Sequence, residues 1–335
     1  MTKMHKPLAV TMGEPSGVGG EITLDAWLMH RDQNLPAFML LDDPARIERL
    51  AQKLNKDVPV QVIDTAEEAI SCFDRALPIM PIELKAPVEL GTLNPANGEA
   101  VIRSIELAVE MAMQGKVSGV VTNPIHKAVL YEVGFKHPGH TEFVADLCGK
   151  GETPIMMIAT EDLRVVPLTV HIALKDVPQA VTAELIDEKM CIMAQSLKQD
   201  FGIENPHIAV AGLNPHAGEG GKMGTEEIET IIPAIEKLQR EGMLVSGPHP
   251  ADTLFHAEAR KNYDAALGMY HDQVLTPVKT LDFHGGVNVT LGLSVVRTSP
   301  DHGTALDIAG KGVARPDSLI AAIKMADQIA KNRNL

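Results

Sequence analysis

The chain has 335 residues, with 44 acidic side chains against 30 Lys and Arg and a formal net charge of −14; no basic cluster stands ready to neutralise phosphates, which excludes a general nucleic-acid surface. Apolar residues make up 45% and are interrupted throughout by charged ones, so no run reaches the roughly 18 residues a membrane-crossing helix needs. The length suffices for a core divided between two domains. The opening MTKMHKPLAV lacks the apolar core and small-residue cleavage site of a secretory leader, so the expected location is the cytoplasm. Cys72, Cys148 and Cys191 lie far apart with no CxxC pair, which fits buried thiols better than disulfides or a thiolate metal site.

From the N-terminus, PLAVTM (7–12), PAFMLL (36–41), VPVQVI (58–63) and VSGVV (117–121) predict buried strands, with helices near 44–54 and 98–114. That rhythm implies parallel strands joined by right-handed crossovers. The first strand runs into TMGEPSGVGGE (11–21), glycine-rich and ahead of a helix. It is neither GxGxxG nor a phosphate loop with its lysine. Two readings stand: a tight strand-to-helix turn, or a place where the backbone at Gly13, Glu14 and Gly17 packs closely on a cofactor. GHTEF (139–143) puts His140 and Thr141 at a helix start, where hydroxyl, imidazole and free backbone donors suit a phosphate; helix capping by Thr141 is the alternative.

The strand pattern continues through LRVVPLTVHIAL (163–174), HIAVAGL (207–213), AALGMYH (265–271) and VNVTLGL (287–293), with helices near 182–200 and 225–241. His171, His216 and His271 each stand at or just beyond an apolar run. Ligands in open α/β sheets gather at the carboxyl ends of strands, so if these strands are parallel neighbours the three imidazoles could converge on one divalent ion and leave positions open for substrate. There is no HExxH or HxH spacing, and any one of them alone reads equally as a structural or surface histidine. Asp252 and Asp272 lie close to these motifs, as acid/base groups or as carboxylates orienting the ligands. Lys279 in TPVK, Asn288 in GGVNV and Arg297 in VVRTS add two cations and an amide, the charge-assisted donors a phosphate monoester needs; singly, each would read as a surface residue.

The run RTSPDHGTALDIAGKG, Arg297 to Gly312, is expected to pass from a loop into a helix. His302 and Gly303 would let backbone N–H groups approach a dinucleotide, and Asp307 would accept a ribose 2′-hydroxyl and repel a 2′-phosphate, favouring NAD over NADP. A plain glycine turn is the alternative. A closing amphipathic helix runs from Asp317 to about Lys331, with Leu319, Ile320, Ile323, Ala326 and Ala330 at helical spacing.

Taken in order, TMGEPSGVGGE, TNPIHKAVL, HPGHTEFVADL, TVHIALKDVP, GLNPHAGEGGKMGTEE, GPHPADTLF, YHDQVLTPVK and RTSPDHGTALDIAGKG span nearly the whole chain. The set resembles the 4-hydroxythreonine-4-phosphate dehydrogenase family of vitamin B6 synthesis, within the isopropylmalate and isocitrate dehydrogenase superfamily. Gly20 departs from it, where the family's loop has proline before the glutamate. The resemblance implies an α/β, two-domain isopropylmalate dehydrogenase-like fold of mainly parallel sheets flanked by helices, with the active site in the interdomain cleft. The domains would be 1–125 plus 285–335, with the cofactor loop, and 126–284, with the metal ligands and the dimer contacts. It further implies that His171, His216 and His271 bind a divalent cation, commonly zinc and alternatively magnesium, manganese or cobalt. His140, Thr141, Lys279, Asn288 and Arg297 would hold a small phosphorylated hydroxy acid, in a homodimer with the active site at its interface. The expected activity is NAD-dependent oxidation followed by decarboxylation. A paralogue acting on D-threonate or D-erythronate 4-phosphate, a dihydrodiol dehydrogenase relative, and a metal-dependent hydrolase that does not use NAD are the alternatives.

Overall fold

Short apolar runs alternate with longer amphipathic ones, and in the computed structural model, which describes residues 6–149 and 151–335, the first kind form strands and the second helices. In chain order the strands are β1 (Leu8–Thr11), β2 (Phe38–Asp42), β3 (Val60–Val62), β4 (Leu77–Pro81), β5 (Val120–Val121), β6 (Ile155–Ala159), β7 (Arg164–Thr169), β8 (His207–Ala211), β9 (Leu244–His249), β10 (Ala265–Tyr270), β11 (Val287–Leu291) and β12 (Arg297–Pro300). The helices are α1 (Gly19–Leu28), α2 (Pro44–Lys53), α3 (Ala66–Cys72), α4 (Gly98–Met113), α5 (Lys127–Glu132), α6 (His140–Cys148), α7 (Val177–Ala180), α8 (Ala183–Gln199), α9 (Ile232–Arg240), α10 (Ala251–Leu254), α11 (Ala257–Arg260), α12 (His271–Leu281) and α13 (Asp317–Asn332). They fall into two compact units, Met1–Pro154 with Leu293–Leu335, and Ile155–Gly292.

In the first unit the strands run β3-β4-β2-β1-β5-β12, every pair parallel. Helices cover both faces of such a sheet, which is why β1 is buried at every position and is apolar up to its last residue, Thr11. Ser104 of α4 anchors the helix to the strand ends: its hydroxyl accepts from Met12 N at 2.9 Å and donates to the Leu41 carbonyl at 2.9 Å. The closing helix forms as its spacing predicts, and Leu319, Ile320, Ile323, Ala326 and Ala330 are all buried against β12, β5 and β1. Truncating a fully buried member such as Ile323 to Ala would cost about 2–5 kcal/mol.

In the second unit the order is β11-β6-β7-β10-β8-β9. The pairs β11–β6 and β6–β7 are antiparallel and the remaining three are parallel. Strands β7, β10 and β8 are therefore parallel neighbours, and their carboxyl ends lie side by side. The strand expected over 163–174 stops at Thr169, and His271 opens helix α12, which the strand pattern did not foresee. Gly268 makes that sharp return possible: a Cβ there would stand 2.2 Å from Val274 Cγ1.

Candidate active site

The three histidines stand beyond those three neighbouring strand ends. His171 lies two residues past Thr169, and His271 directly follows Tyr270, which is in register with Thr169. Their imidazole centroids are 5.5 Å apart. Both rings line one cavity of about 250 Å³, whose wall includes Thr169, Tyr270 and Asp272. The Asp272 carboxylate sits 2.7 Å from His271 Nδ1; holding a proton there leaves Nε2 with its lone pair, as a metal-binding imidazole requires. Asp272 also lines a second cavity of about 600 Å³, together with Asp252, Gln273 and His256. Two imidazoles at adjacent strand ends, one oriented by a carboxylate, are a donor pair suited to zinc or a similar divalent ion. His216 does not join them: among the described residues no group of three or more His, Cys, Asp or Glu is assembled for a metal ion.

His216 is exposed and opens a left-handed turn. His216, Ala217, Gly218, Glu219 and Gly220 all have positive φ, between 44° and 79°. Handedness costs about 1–2 kcal/mol at each of the three non-glycine positions, so the turn needs outside support. Glu227, buried at 1% exposure, supplies part of it. Its carboxylate accepts from Asn214 N at 2.7 Å and from Asn214 Nδ2 at 2.9 Å. It also lies so close to Gly218 that a Cβ there would be 2.7 Å from Oε2.

The expected phosphate ligands divide between the units. His140 is the first residue of α6, whose N-cap is Gly139 with no side-chain cap. Thr141 is therefore two residues past the cap position, and the first-turn N–H groups are left to other partners. His140 Nε2 is buried without a hydrogen-bond partner. Burial first, then the charges of Arg297 and Lys127, hold its pKa well below 6.5, so the ring is neutral. Arg297, buried in β12, donates from Nη2 to Thr122 Oγ1 at 2.7 Å. Burial pulls its pKa down to about 10 against the opposing charge of Glu142, leaving it a cation at neutral pH. Nothing in TNPIHKAVL marks Lys127 as a site residue; only packing brings it beside His140. In the second unit the Lys279 ammonium lies 5.4 Å from the Phe283 ring centroid, and Asn288 Oδ1 is buried without a hydrogen-bond partner.

The two expected cofactor loops touch each other. Val18 N donates to the Thr304 carbonyl at 3.0 Å, and a Cβ on Gly17 would stand 2.7 Å from that same oxygen. The glycines of 13–20 are thus spent on close packing within the chain: Gly13, at φ 70°, lies against Asn123 and Pro124, and Gly20 lies against Leu50 and Arg46. Glu14 turns inward, accepts from Ser16 N at 3.0 Å, and has its pKa raised by burial. Arg46, paired with Asp42, donates to the Pro15 carbonyl at 2.8 Å and pins the loop from below. The second loop does not pass directly into a helix as expected: residues 301–316 are turns and bends, and α13 starts only at Asp317. Its backbone is held by Glu21, fully buried in α1, which accepts from Gly310 N at 2.9 Å and Ala314 N at 3.4 Å. His302, Gly303 and Asp307 are exposed on it.

A mainly parallel α/β scaffold with imidazoles and carboxylates at its strand ends, and buried cation and neutral imidazole beside a helix start, is the framework of an enzyme acting on small anionic molecules. The family model for pyridoxal phosphate biosynthetic protein PdxA matches residues 34–326. The chain is 51% identical to 4-hydroxythreonine-4-phosphate dehydrogenase of Caulobacter vibrioides over 335 residues, covering 98% of this chain and 99% of that one. It is 49% identical to the protein of the same name in Methylorubrum populi, covering 99% and 96%. Among solved structures, the 4-hydroxythreonine-4-phosphate dehydrogenase of Klebsiella pneumoniae matches with a TM-score of 0.87 at 34% identity, over 97% of this chain and 99% of that one. A terephthalate 1,2-cis-dihydrodiol dehydrogenase of Burkholderia xenovorans LB400 matches with a TM-score of 0.64 at 26% identity, over 97% and 98%. The chain belongs to the PdxA family of pyridoxal phosphate biosynthetic proteins, and it is a dehydrogenase.

Proposed function

We propose that this enzyme oxidises 4-phosphooxy-L-threonine, using NAD and a divalent cation, to a 3-oxo acid that loses CO₂ to give 3-amino-2-oxopropyl phosphate on the way to pyridoxine 5′-phosphate. The observation that carries this reading is the placement of His171, His271 and His216 beyond the carboxyl ends of three adjacent parallel strands, in a chain about half identical throughout to enzymes named for that substrate. When bound, a cation would supply Lewis-acid polarisation of the substrate hydroxyl oxygen, and NAD would supply the acceptor for the hydride on the carbon that bears it. His171 and His271 would hold the cation, with Asp272 fixing the His271 tautomer, and His216 would have to close on it from its turn to complete the set.

Arg297 and Lys279 offset the phosphate charge. His140, neutral, offers a hydrogen-bonding nitrogen without adding charge, and Thr141, Asn288 and the uncapped N–H groups of α6 complete the donors. Asp252 and Asp272, which share one cavity wall, would pass the hydroxyl proton to solvent. The new ketone lies β to the carboxylate, so the C–C bond electrons move toward the carbonyl as CO₂ leaves, and a proton then returns to carbon. Gly13, Glu14 and Gly17 shape the wall on which His302, Gly303 and Asp307 would present the adenosine side of NAD. A homodimer with the active site at its interface, working in the cytoplasm, is part of this reading.

The test is NADH formation with 4-phosphooxy-L-threonine, D-threonate 4-phosphate and D-erythronate 4-phosphate, each with and without chelator. Turnover of the amino acid alone, abolished by chelator, is expected. Faster turnover of a sugar-acid phosphate assigns the enzyme to the paralogue, and chelator-resistant turnover removes the metal.

A further inference from the structure

The three strand ends that carry the histidines are tied together by side chains that are not themselves candidate ligands. Thr169 Oγ1 donates to the Met269 carbonyl at 2.8 Å, linking β7 and β10 two residues before His171 and His271. Gln273, two residues after His271, spans the next gap. Its Oε1 accepts from Met269 N at 2.6 Å and its Nε2 donates to the Gly212 carbonyl at 2.7 Å, and Gly212 is the first residue beyond β8. From there the chain to His216 is gripped by Glu227 through Asn214 N and Nδ2. A hydrogen-bonded line therefore runs from the His171 strand through the His271 turn to the left-handed turn of His216.

Both ends of the Gln273 amide are used, one on its own turn and one on the neighbouring loop, so a hydrocarbon side chain of equal length would serve neither. Glu227 is buried, and the bonds to it fix the start of a backbone whose positive φ values at His216, Ala217 and Glu219 would not persist unaided. We propose that Gln273 and Glu227 are positioning residues that set how the His271 turn and the His216 loop, beyond neighbouring strand ends, approach a divalent cation. This rests on the metal reading of the preceding subsection. Groups that orient metal-binding imidazoles without touching the ion alter affinity by about 10- to 100-fold when removed.

The experiment measures zinc affinity of the chelator-stripped full chain by competition with a chromophoric chelator, with no substrate present. Gln273→Met removes both amide bonds at constant length. Glu227→Gln keeps an acceptor for Asn214 N but sets one NH₂ against another. Each should weaken zinc binding about 10- to 100-fold and leave NAD affinity unchanged, which a general loss of structure would not. His271→Ala and His216→Ala are the references. If both references lose zinc while Gln273→Met and Glu227→Gln bind it as wild type does, the positioning role is wrong. If the references themselves keep wild-type affinity, the metal reading falls and takes this inference with it. Should Gln273→Met lower the melting temperature of the stripped protein, Glu227→Gln decides by the same measurement.

Discussion

A neutral histidine beside a buried arginine at the start of α6 gives this protein a pH signature. The unfolded His140 ring takes a proton near its ordinary 6.5, whereas the folded ring resists protonation to a much lower pH because it is buried beside Arg297 and Lys127. Between those values the unfolded state binds more protons, so stability falls as pH drops below 6.5 and the loss ends only once the folded ring is charged. Denaturant titrations between pH 6.5 and about pH 5 should therefore show a smaller loss for His140→Gln than for wild type; equal slopes would mean that another group governs acid sensitivity. The two cations make a separate claim. Arg297→Ala and Lys279→Ala should each raise KM for the phosphorylated substrate by ten- to hundredfold, about 1.5–3 kcal/mol, with KM for NAD unmoved. Equal losses on a dephosphorylated substrate would remove them from the phosphate. Asp307→Ala should narrow the preference for NAD over NADP, and a wild type that uses both equally well would show that the carboxylate does not meet the ribose.

Among the elements, the contact between the two glycine-containing loops is the most sensitive to a single methyl. Gly17 has an ordinary φ, so Gly17→Ala adds no backbone strain; it only drives a Cβ against the Thr304 carbonyl. That displacement should raise KM for NAD several-fold with little change in KM for the phosphorylated substrate, as initial-rate kinetics would show, and an unchanged KM for NAD would separate this loop from the cofactor. How readable each element was depends on its burial. Strands β1, β2 and β8 are apolar because they are covered on both faces, and the sequence shows them plainly. Strand β12 reads RTSP and β9 reads LVSGPH; their polar side chains and prolines hide strands whose neighbours carry the pairing. Helix α12 was hidden because it begins at the very residue that ends an apolar run and contains Pro277. The strand-end positions of His171 and His271 were legible, whereas the turn that separates His216 from them was not. Glu21, Glu227 and Gln273 left no signal at all, since a side chain that binds backbone N–H and C=O groups across the fold needs no particular neighbour in sequence.

At the scale of the whole molecule, an active site completed at a subunit interface would make catalysis depend on association. Specific activity should then fall on dilution, in parallel with the dimer fraction measured by sedimentation, and a fully active monomer would sink that arrangement. The chain's late return to its first unit has a consequence of another kind. Strand β12 pairs with β5, with Arg297 beside Val120 and Thr298 beside Val121, and α13 then covers β12, β5 and β1. During synthesis the second unit, ending at Gly292, has left the ribosome entirely while the first still lacks a strand and a helix. For that interval the nascent chain carries an unfinished sheet whose open edge is β5. That edge is only two residues long, too short to offer a passing chain a useful template, and the delay built into the topology is made safer by the shortness of the strand left waiting.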